Sequence, residues 1–83
     1  MPNRLRRLSG KDVVAILESF GFVVVRIRGS HHMLRHETHG QFGTISVPVH
    51  AHRPLAPGTL KNIYRQTLEV IPDEELRPHF YTD

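Results

Sequence analysis

The dipeptide Gly29-Ser30 leaves this chain less choice than any other point in its 83 residues. It stands between FVVVRIR and HHMLRH, two runs too short for helices, the first of them rich in β-branched residues. Such runs around a Gly-containing dipeptide predict a β-hairpin, because glycine supplies the turn conformation at little steric cost. Strand alternation puts Val23, Val25 and Ile27 on one face of the first run, and Val24, Arg26 and Arg28 on the other. On the returning run Met33 and Arg35 share a side with His31, while Leu34 and His36 share a side with His32.

The flanking segments complete the fold. ETHGQ predicts a second turn, with Gly40 at a position that tolerates positive φ. FGTISVPV then forms a third strand with Ile45, Val47 and Val49 on one side, and Pro48 near its edge or end because it lacks an N–H. Before the hairpin, LSGKDVVAILESFGF predicts a helix. Ser9 is its N-cap and Asp12 completes a capping box; Val13, Ile16, Leu17 and Phe20 form an apolar face, and Gly21 terminates it. After the loop HAHRPLAPG, a second helix begins near Thr59, with Gly58 competing for the cap. Leu60, Ile63, Tyr64 and Leu68 form its inner face, and Lys61 and Arg65 lie together on another face. PDEELRPHF adds a short helical element in which Leu76 and Phe80 fold back, ahead of a frayed end.

The expected order is α-β-β-β-α plus that C-terminal element. It makes one α+β domain over 1–83, with a core over about 8–70 and an extension over 71–83. Two helices can cover only one face of a three-stranded antiparallel sheet, so the fold is a two-layer sandwich with an open face. Val24, Arg26 and Arg28 are expected on that open face.

The charge balance bears on the partner. Residues 1–36 carry a balance of +5, residues 37–65 one of +2 and residues 66–83 one of −4. A basic body with an acidic tail favours a polyanionic partner for the body. The absence of cysteine excludes disulfides, thiolate catalysis and cysteine zinc sites, and it is compatible with the cytoplasm. The start MPNRLRR has no apolar run behind its charges, as a signal peptide would, and no segment approaches the ~20 apolar residues that span a bilayer.

Seven histidines invite several chemistries. His50-x-His52 and HHMLRHETH offer metal-ligand spacing, but strand neighbours such as His31 and His32 point to opposite faces, so no metal site is expected. Ser30 beside His31 lacks the surroundings of an activated nucleophile. Acid–base chemistry on RNA asks for less: the 2′-hydroxyl already lies beside the phosphate, an imidazole moves the proton, and cations stabilise the charge. Arg26, Arg28, Arg35, Lys61 and Arg65 are available for that role. The plain alternative is that His31 and His32 are ordinary exposed strand residues.

The pieces GKDVVAILESFGF, RIRGSHHMLRH, ISVPVH and LAPGTLKNIYRQ, in this order and spacing from about Leu8 to Glu69, resemble the HicA family of bacterial toxins. The resemblance implies a double-stranded-RNA-binding-domain-like fold. It also implies an endoribonuclease that cleaves messenger RNA in the cytoplasm and is held inactive by a HicB-type antitoxin. The family's catalytic histidine follows the Gly-Ser turn, which carries over to His31, with His32 as runner-up because some members place it one position later. His36 and His50 are options for a second proton carrier. Gly29 and Ser30 carry over as the turn, and together with Lys11, Arg26, Arg28, Arg35, Lys61 and Arg65 they are the expected RNA contacts. No cofactor is expected, and the products would be a 2′,3′-cyclic phosphate and a 5′-hydroxyl. The rival reading is a non-catalytic RNA-binding module; a degenerate toxin kept for a DNA-binding regulatory complex is a third. The arginines of MPNRLRR lie beyond the family's usual start, and the acidic tail carries no assigned role.

Overall fold

A computed structural model describes residues 3–83. Two outer segments frame a central helix–sheet–helix unit. The elements are β1 (Arg4–Leu5), α1 (Gly10–Ser19), β2 (Phe22–Arg28), β3 (His31–His36), β4 (Thr44–Pro48), α2 (Pro57–Thr67), α3 (Asp73–Phe80) and β5 (Tyr81–Thr82). Strands β2, β3 and β4 form an antiparallel sheet in that order, and α1 and α2 pack on one face of it. This is the expected α+β, double-stranded-RNA-binding-domain-like arrangement.

The local signals explain the first half of the chain well. The Ser9 hydroxyl accepts the Asp12 N–H at 3.1 Å, and the Ser9 N–H donates to the Asp12 carboxylate at 3.0 Å, which closes the capping box. These bonds, the backbone one first, hold the Asp12 carboxyl below its ordinary value. Gly21 has φ of +92° and donates its N–H to the Glu18 carbonyl, so the helix stops where the next strand must start. Val13 and Leu17 are buried, and Ile16 and Phe20 pack at the margin of the core.

Strand β2 departs from strict alternation. Val24 pairs with Leu34 but Arg26 pairs with Met33, so Val25 is the extra residue of a β-bulge. Its effect is to divide the strand differently from the expected pattern. Phe22 and Val24 face the helices, whereas Val23 and Val25 are about half exposed, on the same side as Arg26 and Arg28. Val24 is therefore a core-side residue, not a member of the open face. Ile27, opposite His32, points to the helix side but beyond its cover, at 60% exposure.

Three further expectations need correction. Gly40 opens a short 3₁₀ turn over Gly40–Phe42, and the positive φ falls on Gly43 at +86°, immediately before β4. Helix α2 starts at Pro57 with Ala56 as N-cap, not at Thr59, because proline's fixed φ suits the first helical position. Its inner face is Leu60, Ile63, Tyr64 and Thr67; Leu68 falls at the C-cap and is exposed. The buried Thr67 hydroxyl is satisfied by donating to the Ile63 carbonyl at 2.8 Å.

The ends of the chain are tied together. Helix α3 buries Leu76 and Phe80 completely, as expected, but the tail does not fray: Arg4 pairs with Thr82 and Leu5 with Tyr81 in a two-stranded antiparallel sheet. Tyr64, Asp73, Arg77 and Tyr81 lock this layer. The Tyr64 hydroxyl donates to Asp73, Arg77 bonds Asp73 at 3.2 Å, and the Arg77 guanidinium lies 4.5 Å from the Tyr81 ring centroid. Burial, and then the neighbouring carboxylate, push the Tyr64 phenol up to about 12. Among the described residues no helix is long and apolar enough to cross a membrane.

Candidate active site on the open face of the sheet

The face of the sheet turned away from the helices is built by register. Arg28, His31 and Pro48 lie in one row, Arg26, Met33 and Ser46 in the next, and Val23, Arg35 and Thr44 in the third. Residues directly opposite across an antiparallel pair have Cβ atoms about 5 Å apart, and diagonal ones about 7–8 Å. His31 thus has Arg28 beside it and Arg26 and Ser46 on the diagonals. Its ring is exposed, and Nδ1 lies 3.2 Å from the Ser46 hydroxyl oxygen.

That contact gives the imidazole a fixed orientation and two usable states. When Nδ1–H donates to Ser46, Nε2 is a free base; when the Ser46 hydroxyl donates to Nδ1, Nε2 carries the proton. Ser46 was not among the expected site residues. The signal for it was available, since the alternation that buries Ile45 and Val47 puts Ser46 on the opposite side.

The arginines of this face are uncommitted. Arg26, Arg28 and Arg35 are exposed, and among the described residues none is paired with a carboxylate. A shallow groove of about 270 Å³ crosses the face between Val25, Arg26, Met33, Arg35 and Thr44. At the hairpin turn Gly29 holds φ of +59° with open space where a Cβ would stand, and the Ser30 carbonyl accepts the Val49 N–H at 2.6 Å. The turn is therefore unobstructed yet anchored to the chain that follows β4.

The other histidines occupy different settings. His32 points to the helix side, opposite Ile27 and Val47, with Nδ1 buried and without a hydrogen-bond partner. His36 is held by its surroundings: it bonds the Phe20 carbonyl through Nε2 at 2.8 Å, and Nδ1 accepts the N–H groups of Thr38 and His39 at 3.1 Å each. It also meets the Phe22 ring edge to face. His50 is exposed in the loop after β4. Among the described residues no group of three or more histidine, aspartate or glutamate side chains could hold a metal ion.

The expected basic set does not assemble as one site. Lys11 lies on α1, in the other layer of the sandwich from the open face. Lys61 and Arg65, although four residues apart, line two different cavities. Arg65 donates to Asn62 at 3.3 Å beside a cavity of about 240 Å³ at the His36 end of the sheet. Lys61 faces Arg6 and Arg7 across another cavity. Only Arg26, Arg28 and Arg35 share the His31 face.

The family model described as the HicA toxin of bacterial toxin–antitoxin systems matches residues 10–68, from the first residue of α1 to the end of α2. No curated protein and no solved structure matches the chain.

Proposed function

The chain belongs to the HicA family of bacterial toxins, components of toxin–antitoxin systems, and from that premise we propose that it is a metal-independent endoribonuclease acting on messenger RNA in the cytoplasm, with His31 as its catalytic residue. The observation that carries the reading is the exposed His31 ring, oriented by Ser46, among three arginines that no carboxylate among the described residues neutralises. His32 is the weaker candidate because its ring lies on the helix side of the sheet, away from those cations.

In the proposed mechanism the scissile phosphate sits on the open face against Arg28 and Arg26. His31 Nε2 takes the proton of the ribose 2′-hydroxyl while Nδ1–H donates to Ser46. The 2′-oxygen attacks phosphorus, and the arginines stabilise the negative charge that accumulates on the phosphoryl oxygens. The bond to the 5′-oxygen breaks, that oxygen takes a proton from water, and the hydroxide left behind takes the proton from His31 Nε2, which restores the neutral imidazole. A 2′,3′-cyclic phosphate and a 5′-hydroxyl result. With one imidazole in place the rate is expected to be modest.

A HicB-type antitoxin has a ready target in the same face. The half-exposed Val23 and Val25 beside Arg26, Arg28 and Arg35 suit a partner that is apolar at its centre and acidic at its rim. Inhibition is then a matter of covering the groove, so bound antitoxin that left cleavage untouched would overturn this part.

The test is cleavage of one RNA in EDTA by the wild-type protein and by His31→Ala and His32→Ala. Loss with the first variant alone, and 2′,3′-cyclic phosphate ends with wild type, are expected. RNA bound but cut by none of the three would instead make the chain a binding module.

A further inference from the structure

Outside the family match lie β1, α3 and β5, and they are folded parts of the molecule. The Arg6 N–H donates to the Phe80 carbonyl at 2.8 Å, and β1 is paired with β5 along its length. Residues 4–7 are thus held as a wall, not as a loose arm. That wall faces the start of α2 across a cavity of about 450 Å³, lined by Leu5, Arg6, Arg7, Lys61 and the apolar side chains of Pro54, Pro57 and their neighbours.

Among the described residues three cations and no carboxylate line this cleft. Arg6 donates to the His79 carbonyl at 3.2 Å and feels the charge of Asp12. Arg7 and Lys61 are exposed, and their side chains have neither a hydrogen bond nor an ion pair among the described residues. Cations lining one cleft without partners give it a positive potential, which favours an anion there. The adjoining proline and leucine surface suits a ribose or base, so the cleft fits a nucleotide better than a bare inorganic anion.

Its place in the fold links it to His31. The Val49 N–H on the Ser30 carbonyl ties the hairpin turn to the loop after β4, and the Leu55 N–H on the Leu8 carbonyl ties that loop to the segment following β1. The α1 start abuts the end of β4, since a Cβ on Gly10 would lie 1.9 Å from the Pro48 oxygen. The hairpin turn, the loop and the cleft therefore share one end of the molecule. Glu18, Glu37 and Glu69 gather at the other end: Glu18 closes α1 before Gly21, the Glu37 N–H donates to the Gly21 carbonyl, and Glu69 shares a cavity with Phe22 and His36. A polyanion is attracted more strongly to the first end, because at the second Arg35 and Arg65 stand among these carboxylates.

We infer that the cleft between β1 and the start of α2 binds one nucleotide of the RNA strand, its phosphate on Arg7 and Lys61, at a distance from the phosphate that is cut. The inference rests on the reading of this chain as an RNA-cleaving protein. It assigns the N-terminal arginines to substrate grip, and it gives long RNA an affinity that short RNA lacks.

The test uses the full chain carrying His31→Ala, so that bound RNA stays whole, with and without Arg7→Gln plus Lys61→Gln. Fluorescence anisotropy would follow labelled single-stranded RNAs of about 4 and about 20 nucleotides over a range of salt. The long RNA should lose about tenfold in affinity, and its salt slope should fall by about 0.7, the share of the one phosphate released. The short RNA should be unaffected, and the charge-keeping pair Arg7→Lys plus Lys61→Arg should bind long RNA normally. Equal losses for both lengths, or none for either, would overturn the inference. So would a loss confined to antitoxin binding, which would make the cleft a protein contact. Cleavage by wild-type protein is scored separately: cutting without a length effect sinks the cleft alone, and a length effect without cutting sinks the ribonuclease reading alone.

Discussion

The two faces of the central sheet are made by the same three strands, yet they do different work. On the helix side Phe22, Leu34, Ile45 and Val47 are buried, and His36 spends both ring nitrogens on backbone groups. On the open side Met33, Arg35 and His31 alternate with those same residues, and among the described residues the His31 ring makes one side-chain hydrogen bond, to Ser46. An imidazole with every valence used by the backbone is a strut. One with a free nitrogen beside unpaired arginines is equipped for proton transfer. The difference lies in the pleat, so adjacent positions on β3 should respond oppositely to the same substitution.

The sharpest contrast is between neighbours. Leu34→Ala, which empties a fully buried site, should cost about 2–5 kcal/mol of stability, while Met33→Ala on the open face should cost less than about 1 kcal/mol. Urea denaturation of both variants measures it, and equal losses would remove the distinction between faces.

Gly10→Ala probes the seam between α1 and β4. Within an ordinary helix this change stabilises by about 1 kcal/mol. Here the new Cβ would meet the Pro48 backbone oxygen at 1.9 Å, so the sign should invert to a loss of about 1–3 kcal/mol. A thermal midpoint at or above wild type would show that the seam yields.

The smallest effect concerns pH and the lock behind the helix layer. The Tyr64 phenol is raised from 10.0 to about 12 in the folded chain, so it keeps its proton where the unfolded chain has lost it. Its contribution is complete below about pH 10 and disappears as pH rises through about 12. Asp73, held low first by the Tyr64 hydroxyl and also by Arg77, works in the other direction: its contribution is complete above the ordinary carboxylate range and disappears as pH falls through its lowered value. Tyr64→Phe should flatten the alkaline limb and Asp73→Asn should reduce the acid one, both read from denaturation midpoints against pH. Unchanged limbs would mean that the lock carries no linkage.

Much of this was legible from the sequence where one local signal was sufficient. The Ser9–Asp12 box, the Gly29-Ser30 turn and the Ile45/Val47 alternation each gave the observed element. The failures occur where tertiary structure chose between local options. Nothing in FVVVRIR says that Val25 is the extra residue, because three successive valines suit either face equally well; the partner strand decides it. Thr67 displaces Leu68 from the core because helical phase outranks hydrophobicity once the buried hydroxyl finds a carbonyl. The pairing of β1 with β5 joins opposite ends of the chain and has no local sign at all. At the site, the residues near the turn were readable, whereas the division of Lys61 and Arg65 between two cavities was not.

The central claim is that the pleat separates catalysis from support, and one paired measurement addresses it. RNA cleavage in EDTA and the urea midpoint would be determined together for His31→Ala and His36→Ala. His31→Ala should keep its stability within about 0.5 kcal/mol and lose cleavage. His36→Ala should lose about 1–3 kcal/mol and still cut RNA under conditions where it remains folded. Cleavage at the wild-type rate by His31→Ala, with His36→Ala folded but inactive, would contradict the account.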